Sequence, residues 1–190
     1  MSDAPATADV ILAAARRTIR ARGPERLTLS AVAAEAGVSR PTVYRWFPTK
    51  ALLLASITAS QVDEFDAGLR ALAAAHRDPA RRLDAALRYL ITYLDDTMGA
   101  DSIAADPAFA LQSLADALQP HADALTSVLG DALDEVPAVA AGRLSCRNAA
   151  ELLLRVAYSH YLVPHEHPDV LLRSLRALAG IRRGARSAPG

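Results

Sequence analysis

Between residues 37 and 50 the chain reads Gly-Val-Ser-Arg-Pro-Thr-Val-Tyr-Arg-Trp-Phe-Pro-Thr-Lys, and few folds can house that run. Gly37 supplies a residue able to take positive φ, so a tight turn can form there. Ser39 stands where it can cap a helix, with Pro41 in the first turn, where a missing N–H is harmless. Pro48 then breaks the helix before the next one begins. A helix this short needs a neighbour to brace it. The preceding segment offers one, because Thr28 caps a short helix with an apolar face of Leu29, Val32, Ala33 and Ala36. Val38, Val43 and Phe47 can turn inward to pack on Val32, Ala36 and Leu52, leaving Arg40, Thr42, Tyr44 and Arg45 outward.

The flanking sequence is helical too. Ile11, Ala15 and Ile19 form a stripe at i, i+4 and i+8 beside Arg16, Arg17 and Arg20. This predicts an amphipathic helix from Thr7 to the Gly23-Pro24 stop, after a disordered start of about six residues. From Thr49 a long helix runs to about Ala75. The next carries Leu83, Leu87, Leu90, Ile91 and Leu94 on one side and ends near Met98-Gly99. Asp106-Pro107 opens a shorter helix, Pro120 separates it from another ending near Glu135, and the stretch around Pro137 is a connection. A strongly apolar helix spans residues 144–162, and a last one follows Pro168 to about Gly180. Ala, Leu and Arg dominate, and they lose little on entering a helix. The fold class is therefore all-α, with about nine helices and no strand. The organisation is a head over residues 1–50, a helical body over 51–181 and a disordered tail over 182–190.

Charge is uneven along the chain although the total is zero. Residues 1–50 hold 8 basic and 4 acidic side chains, and the remainder holds 13 and 17. A basic head on an acidic body suits docking of one end onto phosphate backbone. Lys50, directly after the motif, is the only lysine among 21 basic residues, and it is a compact point charge fit for a phosphate. No uncharged apolar stretch approaches the roughly 18 residues of a membrane span. No secretory signal is legible, and the single Cys146 excludes an internal disulfide, so the chain reads as cytoplasmic.

These parts make a helix-turn-helix, in which the first helix braces a second that enters the major groove of DNA. Arg40 could bond guanine O6 and N7 together, and the Pro41 ring or Thr42 methyl could rest on a thymine methyl. Tyr44 and Lys50 are placed for phosphates, and the capped start of the helix after Thr28 could add another such contact.

Residues 28–53 resemble the DNA-binding region of the tetracycline-repressor (TetR) family of bacterial transcriptional regulators. The matching string is Leu29-Ser30-Ala31-Val32-Ala33, Gly37-Val38-Ser39, Thr42-Val43-Tyr44, Phe47-Pro48 and Lys50 followed by Leu52. The first helix also matches, through Ile11-Leu12-Ala13-Ala14-Ala15. Departures are Thr18-Ile19, where an aromatic is common, and Trp46, where a His is frequent. The resemblance implies a DNA-facing set of Thr28, Ser30, Arg40, Pro41, Thr42, Tyr44, Arg45 and Lys50, with Ser39 as the cap among them. It also implies a helical C-terminal domain that dimerises through its last two long helices and encloses a small-molecule pocket. The implied function is a sequence-specific repressor that grips a palindromic operator as a homodimer and lets go when its ligand binds.

The body accommodates that implication without requiring it. Leu152, Val156 and Tyr161, with Leu171, Leu175 and Leu178, would serve a four-helix dimer interface or equally a core within one chain. Tyr89, Tyr93, Phe109, His121, Tyr158 and Tyr161 are polar-tipped or aromatic groups among aliphatics. They would suit a mostly apolar effector with one or two hydrogen-bonding groups, and each also reads as a core residue. His165-Glu166-His167, at i, i+2 in a loop with no Cys nearby, makes a poor metal site, and no metal or cofactor is expected. Neither a nucleophile–base pair nor a phosphate loop supports an enzyme. The zero net charge argues against a DNA binder indifferent to sequence.

Overall fold

The computed structural model describes residues 4–98, 106–163 and 169–181, and every regular element among them is a helix. In chain order these are α1 (Ala4–Arg22), α2 (Leu29–Ala36), α3 (Arg40–Trp46), α4 (Lys50–Ala75), α5 (Pro79–Met98), α6 (Pro107–Asp134), α7 (Pro137–Ala140), α8 (Cys146–Leu162) and α9 (Asp169–Leu178). The all-α class is as expected, but three elements differ from the sequence reading. Helix α1 starts at Ala4 rather than Thr7. Helix α6 passes through Pro120 and departs from helical angles only at Leu129, where φ is −114° and ψ is 15°. Proline's fixed φ is itself helical, so its penalty is a lost hydrogen bond and a crowded carbonyl rather than a wrong backbone angle. The departure instead falls beside Gly130, a poor helix former. The connection at Pro137 contains the single turn of α7.

The backbone gathers into two units, Met1–Glu64 with Met98–Ala117, and Phe65–Thr97 with Leu118–Gly190. In the first, Ile11, Leu12, Ala14 and Ala15 of α1 meet Leu29, Val32 and Ala33 of α2, Val43 of α3, and Leu53 and Ile57 of α4. Thr18 is buried where an aromatic was the family habit, and its hydroxyl is satisfied by the Ala14 carbonyl at 2.9 Å. Leu52, expected to pack inward, is exposed, and Leu53 is the buried neighbour. Helix α4 is capped by Thr49, whose Oγ1 accepts from Leu52 N at 3.1 Å. Leu53 and Ile57, at i and i+4, are its residues turned to this core. Arg16 ties α1 to α4, donating from Nη1 to both Glu64 oxygens (2.9 and 2.8 Å) and from Nη2 to Ser60 Oγ (2.7 Å).

The second unit buries Leu83, Leu87, Leu90 and Leu94 of α5, as their spacing predicts. Arg176 of α9 grips Asp84 of α5 at two points (2.5 and 2.9 Å), which holds that carboxyl below its usual range. Gly68 of α4 faces Tyr89 of α5 so closely that an added Cβ would collide with the phenol oxygen.

Gly37 makes the turn between α2 and α3 with φ of 67°. An added Cβ would meet no neighbour there, so any strain from substitution is purely in the backbone. Gly37→Ala should therefore lower the stability of the first unit by about 1–2 kcal/mol, and Gly37→Asn by less, because Asn tolerates left-handed φ. Thermal unfolding of the two variants checks this, and equal melting for Ala and Gly would refute it.

Candidate functional site

The α2–turn–α3 segment is held by local chemistry at every joint. Thr28 Oγ1 accepts from Ala31 N at 3.1 Å and so caps α2. Past Gly37, the Val38 N–H returns to the Ala33 carbonyl at 3.1 Å, closing the helix end. Ser39 Oγ accepts from Thr42 N at 3.3 Å and lies 2.8 Å from Thr42 Oγ1. Thr42 therefore commits its hydroxyl to the cap and has its methyl left for an outside contact. At the other end, the Phe47 N–H closes on the Val43 carbonyl at 2.8 Å, and both side chains are buried.

With Val43 and Phe47 drawn inward, α3 turns Arg40, Pro41, Tyr44 and Arg45 to solvent, with Tyr44 half exposed. Thr28 and Ser39 are exposed, and Ser30, Thr42 and Lys50 are partly so. Lys50 reaches back to the α1–α2 loop, where Nζ donates to the Glu25 carbonyl at 3.3 Å. An ammonium has three donors, so a phosphate can share it without that bond being lost. Trp46 packs against the core of this unit, and its indole Nε1 is buried without a partner. The position where the family often carries a His is thus turned to the core.

The effector candidates divide between the units. Phe109 belongs to the first. In the second, Tyr89, Tyr93 and His121 gather around Phe65 of α4, which is not among the sequence candidates, and Tyr158 joins through His121. Ring centroids lie 5.6 Å from Phe65 to Tyr89, 5.0 Å to Tyr93 and 4.3 Å to His121. Tyr93 meets His121 edge-on at 5.6 Å. His121 Nδ1 is 2.7 Å from the Tyr158 hydroxyl, and its Nε2 is buried without a partner. Burial lowers the His121 pKa to about 4, and it raises that of Tyr158. Tyr161 is committed elsewhere, bonding Asp95 (2.7 Å) and the Ile91 carbonyl (3.1 Å) of α5. Phe65 was legible after all, since Leu53, Ile57, Phe65 and Leu69 lie in steps of four or eight along α4 and all are buried.

The dimer candidates also divide. Leu171 and Leu175 are buried within the chain, whereas Leu152 and Leu178 are exposed and Val156 is partly so. The two inward leucines pack within the chain's own core, and Leu152, Val156 and Leu178 are the candidates left with open surface. Cys146 donates its thiol to Asp134 Oδ1 at 2.9 Å, which raises its pKa and disfavours the reactive thiolate. Among the described residues no three His, Cys, Asp or Glu side chains gather as a metal site, and no helix is long and apolar enough to cross a membrane. His165-Glu166-His167 and the 182–190 tail lie outside the described residues.

No curated protein matches the sequence as a whole. Solved structures do match the fold over nearly all of it. The fatty acid degradation regulator FadR of Bacillus halodurans superposes with a TM-score of 0.65 at 20% identity, over 90% of this chain and 93% of that one. A TetR-like transcriptional regulator from a Rhodococcus species gives 0.62 at 18% identity, over 92% and 93%. The TetR family repressor AlkX of a Dietzia species, implicated in n-alkane biodegradation, gives 0.61 at 22% identity, over 91% and 94%. Residues 11–57, which include α2, the turn and α3, match the family described as bacterial regulatory proteins, tetR family. The similarity to that family thus covers the helix-turn-helix segment, and the likeness to these solved regulators over the rest of the chain is one of fold.

Proposed function

We propose that the chain is a cytoplasmic repressor that binds a palindromic operator as a homodimer and releases it when a mostly apolar small molecule occupies the second unit. The observation that carries this reading is the division of α3, in which Val43 is buried while Arg40, Pro41, Tyr44 and Arg45 face solvent. In the proposed complex Arg40 reads a guanine, and Pro41 and the Thr42 methyl lie on a thymine methyl. Thr28, Ser30, Tyr44, Arg45 and Lys50 hold phosphates, and Ser39 fixes the helix start. Residues 1–50 are the reading head and 51–181 the effector and dimer domain.

A seven-residue reading helix offers limited contact, and two heads about one helical turn apart would remedy this. Leu152, Val156 and Leu178 are the members of the apolar stripes left open to a second copy. The aromatic cluster around Phe65 is the proposed effector site, and α4 runs unbroken from Lys50 to Ala75 through Phe65. An effector can release DNA only by binding more tightly to the conformation that does not fit the operator. The chain acts by binding rather than catalysis.

Selection from a random duplex pool at near-physiological salt tests the reading, and an enriched palindrome is expected. A pool returned without enrichment, from folded protein free of ligand, would sink it. On the enriched site, Arg40→Ala should relax specificity at one base position and cost about 1–3 kcal/mol. Lys50→Ala should weaken all sequences alike and lower the salt slope by about one. If Arg40→Ala left the cognate site unaffected, α3 would not present that face to the groove.

A further inference from the structure

His121 lies at the contact of Phe65, Tyr93 and Tyr158 with 3% of its surface exposed. One ring nitrogen is satisfied and the other is not. The tautomer follows from counting donors. The Tyr158 hydroxyl has His121 Nδ1 as its hydrogen-bond partner among the described residues, at 2.7 Å. If Nδ1 carried the proton, the phenol hydrogen would need a second acceptor, and Nε2 would be a buried acceptor without a donor. If the phenol donates to Nδ1, only the Nε2–H remains unmet. The second arrangement strands fewer buried groups, so Tyr158 fixes Nε2 as a donor. Burial is the one cause shifting the His121 pKa, which falls to about 4, so the ring is neutral at physiological pH. A ligand carboxylate would have to shed its water against an uncharged imidazole among aromatic rings, which is costly.

We propose that His121 Nε2 is the polar anchor of the effector site, donating to a carbonyl-type oxygen on an uncharged, flat apolar molecule that stacks among Phe65 and Tyr93. The inference rests on the reading of this cluster as the effector site and adds the chemistry of the occupant. Tyr158 acts as a positioning residue, because it sets the tautomer without touching the ligand.

Acetophenone, cumene and benzoate form a matched probe set: the first carries the oxygen, the second replaces it with a methyl, and the third is charged. Titration of each into the full chain should show acetophenone binding about tenfold more tightly than cumene, with benzoate weakest. His121→Phe should erase the preference for acetophenone. In the unmutated protein, the imidazole nitrogen spectrum should show the proton on Nε2 and a shift of that resonance with acetophenone, a readout that survives if the variant does not fold. Tyr158→Phe should mix the tautomers and shrink the preference. Cumene equalling acetophenone, benzoate binding most tightly, no probe binding, or the proton residing on Nδ1 would each overturn the inference. Operator affinity in the same samples separates the two claims. Acetophenone held through Nε2 with operator binding unchanged keeps the anchor and removes the effector reading. Cumene matching acetophenone while releasing DNA does the reverse.

Discussion

Phe47→Ala is expected to cost the first unit about 3–5 kcal/mol and to abolish operator binding. Phe47 ends α3 and is 5% exposed, within the cluster that includes Ile11, Val32, Val43 and Leu53. Its side chain is one of only two in the α3 segment that are fully turned inward, the other being Val43. Removing the ring leaves a cavity beneath a helix of seven residues, too short to persist without packing. Native stability is commonly 5–15 kcal/mol, so the loss is a large share of it. Circular dichroism melting and operator titration check the outcome together. An unchanged melting curve with full DNA affinity would mean that α3 is held by something other than this core.

Acidification should destabilise the second unit through His121. Its folded pKa, about 4, lies below the ordinary 6.5. Between those values the unfolded chain binds a proton that the folded chain refuses, so stability is full above about pH 6.5 and falls as the pH drops towards 4. At 1.36 kcal/mol per pH unit the whole descent is worth about 3 kcal/mol. Urea midpoints at a series of pH values would show it, and His121→Phe should flatten the portion due to this residue. A variant that kept the full pH slope would place the cause on another group.

The reading head was legible because its determinants are local. Thr28, Gly37, Ser39 and Pro41 each act within a few residues, through a cap, a positive φ or a fixed φ, so no tertiary partner is needed to interpret them. Phase and tertiary partnership were harder to read. The one-residue difference between Leu52 and Leu53 depends on which face of α4 joins the cluster around Ile11 and Val32, a tertiary matter that the local sequence does not state. The break in α6 was expected at Pro120, although a proline announces a lost hydrogen bond and not a change of angle. The spacing along α4 marks Phe65 as a core position, but its place among the aromatic rings depends on partners on α5 and α6, about 24 to 56 residues further along. Leu171 and Leu175 share a stripe with Leu178, yet the stripe alone does not say which members face the chain itself and which face outward.

The single lysine gives the molecule one ε-amine, and it lies where DNA is proposed to pass. Amine-acylating reagents, which modify most proteins at many places, would have one side-chain target here. That target is partly exposed and tethered to the Glu25 carbonyl. Occupancy of the reading face thus becomes measurable as the acylation of one peptide, that carrying Lys50, expected to be protected when the operator is bound and restored when it leaves, with no label engineered into the chain.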